Sequence, residues 1–280
     1  MTRSLPHHTA TRYVVPLREG GSLPAVLDTA EAGLFVAKFR GAGQGAKALV
    51  AEIVVGELAR RLGLPVPEIA LLDVDPAFGR TERDPEIQDL LKASRGTNVG
   101  LRYLDGAFNF DPLAAADLVA PELAADVVWL DALVTNVDRT PRNPNILVWN
   151  ERAWLIDHGA ALYFHHDWAT VDAARARFPF PAIRDHVLLR LAGEVAAADE
   201  RLAPRAAEAL DEVVALVPDD LLMARVEGQE PPFATAEANR TAYRTYFHER
   251  LREPRPFVAA ADEARVRAAE DPGQPLDYRR

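Results

Sequence analysis

The chain contains no cysteine, which excludes disulfides, thiolate nucleophiles and cysteine-ligated zinc or iron–sulfur centres. It lacks any uninterrupted apolar run of about 18 residues, so no membrane span is expected. Nor does the segment from Met1 to His8 hold the continuous apolar stretch of a secretory signal, and the expected location is cytoplasmic. Positive charge is scarce: 32 Lys and Arg stand against 42 Asp and Glu, a net charge of −10. Gripping nucleic acid or an anionic membrane takes a basic surface, so neither partner is expected. No Gly-x-Ser-x-Gly elbow supports a serine hydrolase. His158, His165 and His166 lie near Asp157 and Asp167 and invite a metal-hydrolase reading. Adjacent His165 and His166 point opposite ways on any regular element, so a loop pair without a metal is expected.

What is present is an ordinary globular composition, 49% hydrophobic and 26% charged over 280 residues. A chain of this length buries roughly three quarters of its unfolded surface, enough for a substantial core. Short apolar runs at 13–17, 24–27 and 34–39, separated by turn-forming residues, read as an antiparallel meander. Leu49, Ile53, Val54, Leu58 and Leu62 recur at helical steps and stop at Gly63. A strand at 69–74, a short helix at 85–93 and a strand at 99–104 follow. Beyond 107–112 the pattern turns helical, with helices expected at 117–136, 183–198, 204–216, 218–226, 234–252 and 258–269. Pro179, Pro181, Pro204 and Pro218 punctuate them. The expectation is an α+β protein with a nucleotide-binding lobe over 1–107 and a mainly helical lobe over 108–280.

The chemistry concentrates between Asn136 and Gly159. Asp138 is followed five residues later by Asn143, then by an apolar strand, then by Asp157, His158 and Gly159. That order matches the loop logic of a kinase: one Asp for the acceptor hydroxyl, an Asn and a second Asp for magnesium. A hairpin of 146–149 and 153–156, turning at Asn150 and Glu151, brings Asn143 and Asp157 to one end. Asn145 competes with Asn143 for the metal; the five-residue spacing favours Asn143. Lys38, on an apolar strand, must reach solvent or a partner. It reads as the lysine that holds ATP phosphates, with Glu52 of the next helix as its anchor. The bland alternative is an edge-strand lysine and a solvated glutamate. Gly20, Gly21 and Ser22 form a turn that could fold over phosphates through backbone N–H groups. Ser22 either completes that turn or accepts a phosphate itself. Backbone groups at Tyr103 and Leu104 are expected to face adenine.

Taken together, Gly20 to Ser22, Phe35 to Lys38, Glu52, the run Leu58 to Pro67, Asn136 to Asn143 and Leu155 to Gly159 resemble the HipA-like kinases. The loop is also similar to that of phosphoinositide lipid kinases. The resemblance covers roughly residues 13–165, with Thr140 standing where that family usually places a histidine. It implies a two-lobed protein-kinase-like fold, with an N-terminal antiparallel sheet plus helix and a mainly helical C-terminal lobe. It also implies ATP and magnesium as cofactors. Lys38 then resembles the phosphate-binding lysine, Asp138 the catalytic Asp, and Asn143 and Asp157 the metal ligands. The implied activity is serine/threonine phosphorylation of a protein hydroxyl. A small-molecule kinase and a catalytically silent ATP-binding scaffold are the alternatives.

Overall fold

Five strands close into a barrel in the computed structural model, which describes residues 4–17, 23–43, 45–75, 77–78, 84–225 and 231–270. They are β1 (His7–Pro16), β2 (Ala25–Thr29), β3 (Gly33–Lys38), β4 (Ile69–Asp73) and β5 (Thr97–Arg102), in the order β1-β2-β3-β5-β4. Four of the five pairings are antiparallel. The closing one, β1 with β4, is parallel from His7 opposite Leu71 to Thr9 opposite Asp73. The expected antiparallel sheet is therefore closed on itself, through one parallel pairing. The closing half of β1 is polar and buries only Ala10, so it carries no apolar alternation to announce a strand. Closure removes the exposed edges that invite intermolecular pairing.

Leu27, Phe35, Ala37, Ala70 and Leu72 fill the barrel, and Ile87 and Leu91 of α2 (Pro85–Ala93) pack into the same cluster. Asp84 starts that helix by accepting a hydrogen bond from the Glu86 N–H, with Pro85 in its first turn.

Helix α1 (Ala46–Leu62) belongs elsewhere. Its buried residues, with Ile69, Val99 and Leu101 of the barrel strands, join the larger core built around α3 (Pro121–Leu133) and α5 (Val195–Ala215), a cluster separate from the barrel interior. α1 ends at Gly63, whose φ of +89° suits glycine and lets its N–H close back on Arg60. α3 is apolar on nearly every face and runs through the middle of the helical half. It starts later than the expected 117–136, because Pro121 occupies its first turn and 116–118 form a separate single turn.

A second sheet joins β6 (Phe108–Asn109), β7 (Ile146–Trp149) and β8 (Arg152–Leu155). Asn150 and Glu151 both take positive φ, +49° and +58°, the backbone a two-residue hairpin turn demands.

The remaining helices are α4 (Ala173–Ala176), α6 (Asp219–Leu222), α7 (Ala236–Leu251) and α8 (Pro256–Glu270). No helix covers 183–198 as a unit. Residues 181–185 make a short turn, Val187, Leu188 and Leu189 bury as irregular chain, and α5 begins at Val195. Nor does Pro204 interrupt: α5 runs straight through it. A proline inside a helix costs about 3 kcal/mol. Here burial of Leu202, Ala203, Ala206 and Leu210 on the same helix outweighs it. No described helix is long and apolar enough to cross a membrane.

Candidate active site

Lys38 ends β3 opposite Val99, and only 9% of its surface is exposed. Its ammonium donates to Glu52 Oε1 at 2.6 Å and also to Asp157 Oδ1. The strand lysine therefore reaches two carboxylates separated by over a hundred residues of sequence, which removes the edge-strand alternative. Glu52 is fully buried on one stripe of α1 together with Ala48 and Gly56. That stripe lies against the Asp157–Gly159 segment. A Cβ added at Gly159 would come within 3.4 Å of Ala48 and Glu52. One added at Gly56 would lie 2.4 Å from Ile69 Cδ1 and 3.5 Å from His158 Cδ2.

Burial opposes the lysine charge, yet Glu52 and Asp157 outweigh it and hold Lys38 above its ordinary pKa. Burial likewise raises Glu52, against the pull of Lys38 and with repulsion from Asp157 added. For Asp157 burial loses to Lys38, and its carboxyl stays below the usual range. Glu52 Oε2 is buried and has no hydrogen-bond partner among the described residues.

Asp138 Oδ2 accepts from Asn143 Nδ2 at 2.8 Å and from Asn145 Nδ2 at 3.1 Å. Both candidate asparagines thus converge on one oxygen of the Asp138 carboxylate. Thr140 and Asn143 exchange backbone hydrogen bonds at 3.1 Å, which tightens the loop between them. Asn145 directly precedes β7 and takes φ +50°. Its carbonyl accepts from the Ile156 N–H at 3.0 Å, extending the hairpin ladder by one step to the residue beside Asp157. Asn143 is exposed and lies two residues outside that ladder.

A buried network holds the loop in place. Arg139 Nε donates to Asp131 Oδ2 at 2.5 Å, and Asn136 Nδ2 donates to Asp131 Oδ1 at 3.0 Å. His186 Nε2 lies 2.9 Å from the same carboxylate, while Asn136 Oδ1 accepts from the Asp138 N–H at 3.1 Å. Arg139 also donates to the Asn145 carbonyl and sits 3.3 Å from His158 Nδ1. One guanidinium therefore connects α3, the Asp138–Asn145 loop and the Asp157 segment. Burial works against the Asp131 charge, but Arg139 and His186 hold it well below the usual carboxylate range. Burial, reinforced by Arg139, depresses His158 to about 3. His158 is therefore neutral, with Nδ1 accepting from Arg139 and the proton assigned to Nε2.

Asp131, His186 and Arg250 escaped the sequence reading. Asp131 did leave a signal, an acid set among the apolar residues Val127 to Leu133 of α3, where it needs a buried partner. The other two left none. Arg250 is buried and donates to four carbonyls: Ala132 and Leu133 at the end of α3, and Ala176 and Phe178 at the end of α4.

His165 places Nδ1 2.8 Å from the Tyr243 hydroxyl. No group of three or more metal-ligating His, Asp or Glu side chains occurs among the described residues. Gly20, Gly21 and Ser22 lie outside the described residues. The Tyr103 N–H donates to the Leu34 carbonyl at 3.0 Å, and the Leu104 carbonyl accepts from the Ala107 N–H at 3.1 Å. The groups that remain, the Tyr103 carbonyl and the Leu104 N–H, belong to one trans peptide and point in opposite directions. Only one of them can face a base.

A family model described as HipA-like kinase matches residues 14–249. No curated protein sequence matches the chain significantly. Among solved structures, the chain is similar to the Helicobacter pylori proinflammatory kinase CtkA, with a TM-score of 0.53 and 13% identity. The alignment covers 95% of this chain and 100% of that one, and at such identity it speaks for the fold. The family match takes in Lys38, Glu52, Asp138, Asn143, Asn145 and Asp157. This chain belongs to the HipA-like kinase family.

Proposed function

We propose that this protein transfers the γ-phosphoryl group of magnesium-ATP to a serine or threonine hydroxyl of a protein substrate. The observation that carries the reading is Lys38 held between Glu52 and Asp157. A buried ammonium fixed by two carboxylates is a preorganised countercharge for phosphates and needs no rearrangement when charge shifts during transfer.

The donor set fits magnesium, a hard cation that takes oxygen ligands and usually binds one or two carboxylates with substrate phosphates completing its shell. Asp157 and the Asn145 side-chain oxygen would hold it, since the hairpin ladder places Asn145 beside the Asp157 strand end. Asn143, preferred on spacing, lies outside that ladder in the exposed turn; its amide, like that of Asn145, donates to Asp138, and it would steady that carboxylate instead. When bound, the cation neutralises charge on the transferring phosphoryl group. Lys38 orients the phosphates and Glu52 fixes Lys38. Asp138 orients the acceptor hydroxyl with its free oxygen and takes the proton as the oxygen–phosphorus bond forms, while the bond from the γ-phosphorus to the β–γ bridging oxygen breaks and ADP leaves. The adenine would lie against the segment from Tyr103, using one group of the 103–104 peptide.

Incubation with magnesium-ATP and a cell extract, followed by mass spectrometry of proteins and small molecules, tests this. Phosphoproteins formed by the wild type and absent with Asp138→Asn are the expected result. ATP consumed with only a small molecule phosphorylated would move the acceptor class, and ATP bound without transfer to anything would leave a scaffold.

A further inference from the structure

Two clefts flank the catalytic loop. One, of about 570 Å³, is walled by Val137, Tyr163, Phe178 and Phe180. The other, of about 1180 Å³, begins at Thr140, Pro141 and Arg142, immediately after Asp138 and Arg139. The segment 178–181 is the ridge between them: Phe178 and Phe180 face the first cleft, Pro179 and Pro181 the second. Asp138 lies in the loop that joins the two.

The larger cleft runs against the charge of the molecule. It gathers Arg142, Arg184, Arg190 and Arg267 against Asp185 and Glu263, in a chain of net charge −10. Glu263 is taken up by Arg267 at 2.5 Å, and Asp185 lies 3.7 Å from Arg184. Arg142 makes no ion pair among the described residues, although it neighbours Asn143, which holds the catalytic carboxylate. Between the arginines the wall is apolar, and Leu113 stands there 73% exposed.

We propose that this cleft binds an acidic stretch of a polypeptide acceptor, so that the enzyme selects hydroxyls with aspartate or glutamate on one side. The inference deepens the kinase reading and rests on it. Its volume exceeds the roughly 300–1,000 Å³ of ordinary small-molecule sites, which favours a chain over a metabolite. Arginine forks pair with carboxylates bidentately, and apolar walls lower the dielectric around them. A nucleic acid would bring a long polyanion against a molecule of net charge −10.

The test uses a fluorescein-labelled peptide with one serine beside a run of glutamates, and the same peptide with glutamines. Fluorescence anisotropy should show the glutamate peptide binding about tenfold tighter, with the gap closing as salt rises. In the Arg184→Glu, Arg267→Glu double variant the preference should vanish while the melting temperature and ATP binding stay at wild-type values. Equal binding of both peptides, or an RNA oligomer displacing the glutamate peptide at lower concentration, overturns the proposal. The readout needs no phosphotransfer. Selective binding without ATP turnover would sink the kinase reading alone, and turnover without selectivity would sink this inference alone.

Discussion

Asp131 and Arg139 meet at 2.5 Å with neither side chain exposed, eight residues apart across the end of α3. Removing one member of such a pair strands the other as a buried charge, at a cost of about 3–5 kcal/mol. Asp131→Ala is therefore expected to lower the melting temperature by roughly 6 °C or more. Asp131→Asn, which keeps hydrogen-bonding capacity, should cost less. Calorimetry of the two variants decides it, and a wild-type melting temperature for Asp131→Ala would refute the account of the network.

Lys38 has two jobs that can be pulled apart. Lys38→Met should cut phosphotransfer by at least about 100-fold, the usual loss when one preorganised donor to a transition state is removed. It should also destabilise the fold, because Glu52 is left fully buried without its cation. Adding Glu52→Gln should restore most of the melting temperature and none of the activity. Restored activity would mean that Lys38 serves folding only.

Magnesium titrations distinguish the two asparagines. Asn145→Ala should raise the magnesium concentration needed for half-maximal turnover by about 10- to 100-fold, the range seen when a metal's supporting groups are lost. Asn143→Ala should reduce the maximal rate with little change in magnesium demand, since Asn143 lies two residues outside the ladder that brings Asn145 to Asp157 and its amide steadies Asp138. The reverse pattern would return the metal to Asn143.

Acid should unfold this protein early. His158 titrates near 3 in the fold against an ordinary 6.5, so between those values the unfolded chain binds a proton that the native state refuses. Stability therefore falls as the pH drops below 6.5, by up to about 1.4 kcal/mol per pH unit for this group. Buried His165 and His186 are also depressed and push the same way. His158→Gln, which retains an acceptor for Arg139, should flatten the slope of denaturation midpoint against pH through that window. An unchanged slope would count against a buried neutral His158.

The parts of this site that were legible in the sequence were those where a local conflict demanded a distant answer. Lys38 on an apolar strand needed a partner; Glu52 was named as that partner from the kinase pattern, and the pair meets at 2.6 Å. The hairpin carrying Asp157 was legible because Asn150 and Glu151 are flanked by short apolar runs. Barrel closure was not, since His7 to Thr9 pair with a strand more than sixty residues away and bury almost nothing themselves. The same holds for His186, which meets Asp131 from 55 residues downstream, in irregular chain that its apolar spacing made look helical. Pro204 misled for the opposite reason: a strong local rule was overruled by burial along the whole of α5.

Arg250 gives the order of synthesis a consequence. The carbonyls it satisfies at Ala132 and Leu133 precede it by more than a hundred residues. Any chain still emerging from a ribosome, with α7 incomplete, leaves the end of α3 and the end of α4 without that guanidinium. The loop that carries Asp138 begins just beyond α3, at a helix end whose last carbonyls then lack that donor. A nascent chain can therefore hold Lys38, Asp138 and Asp157 before the helix end that leads into the Asp138 loop has all its hydrogen bonds.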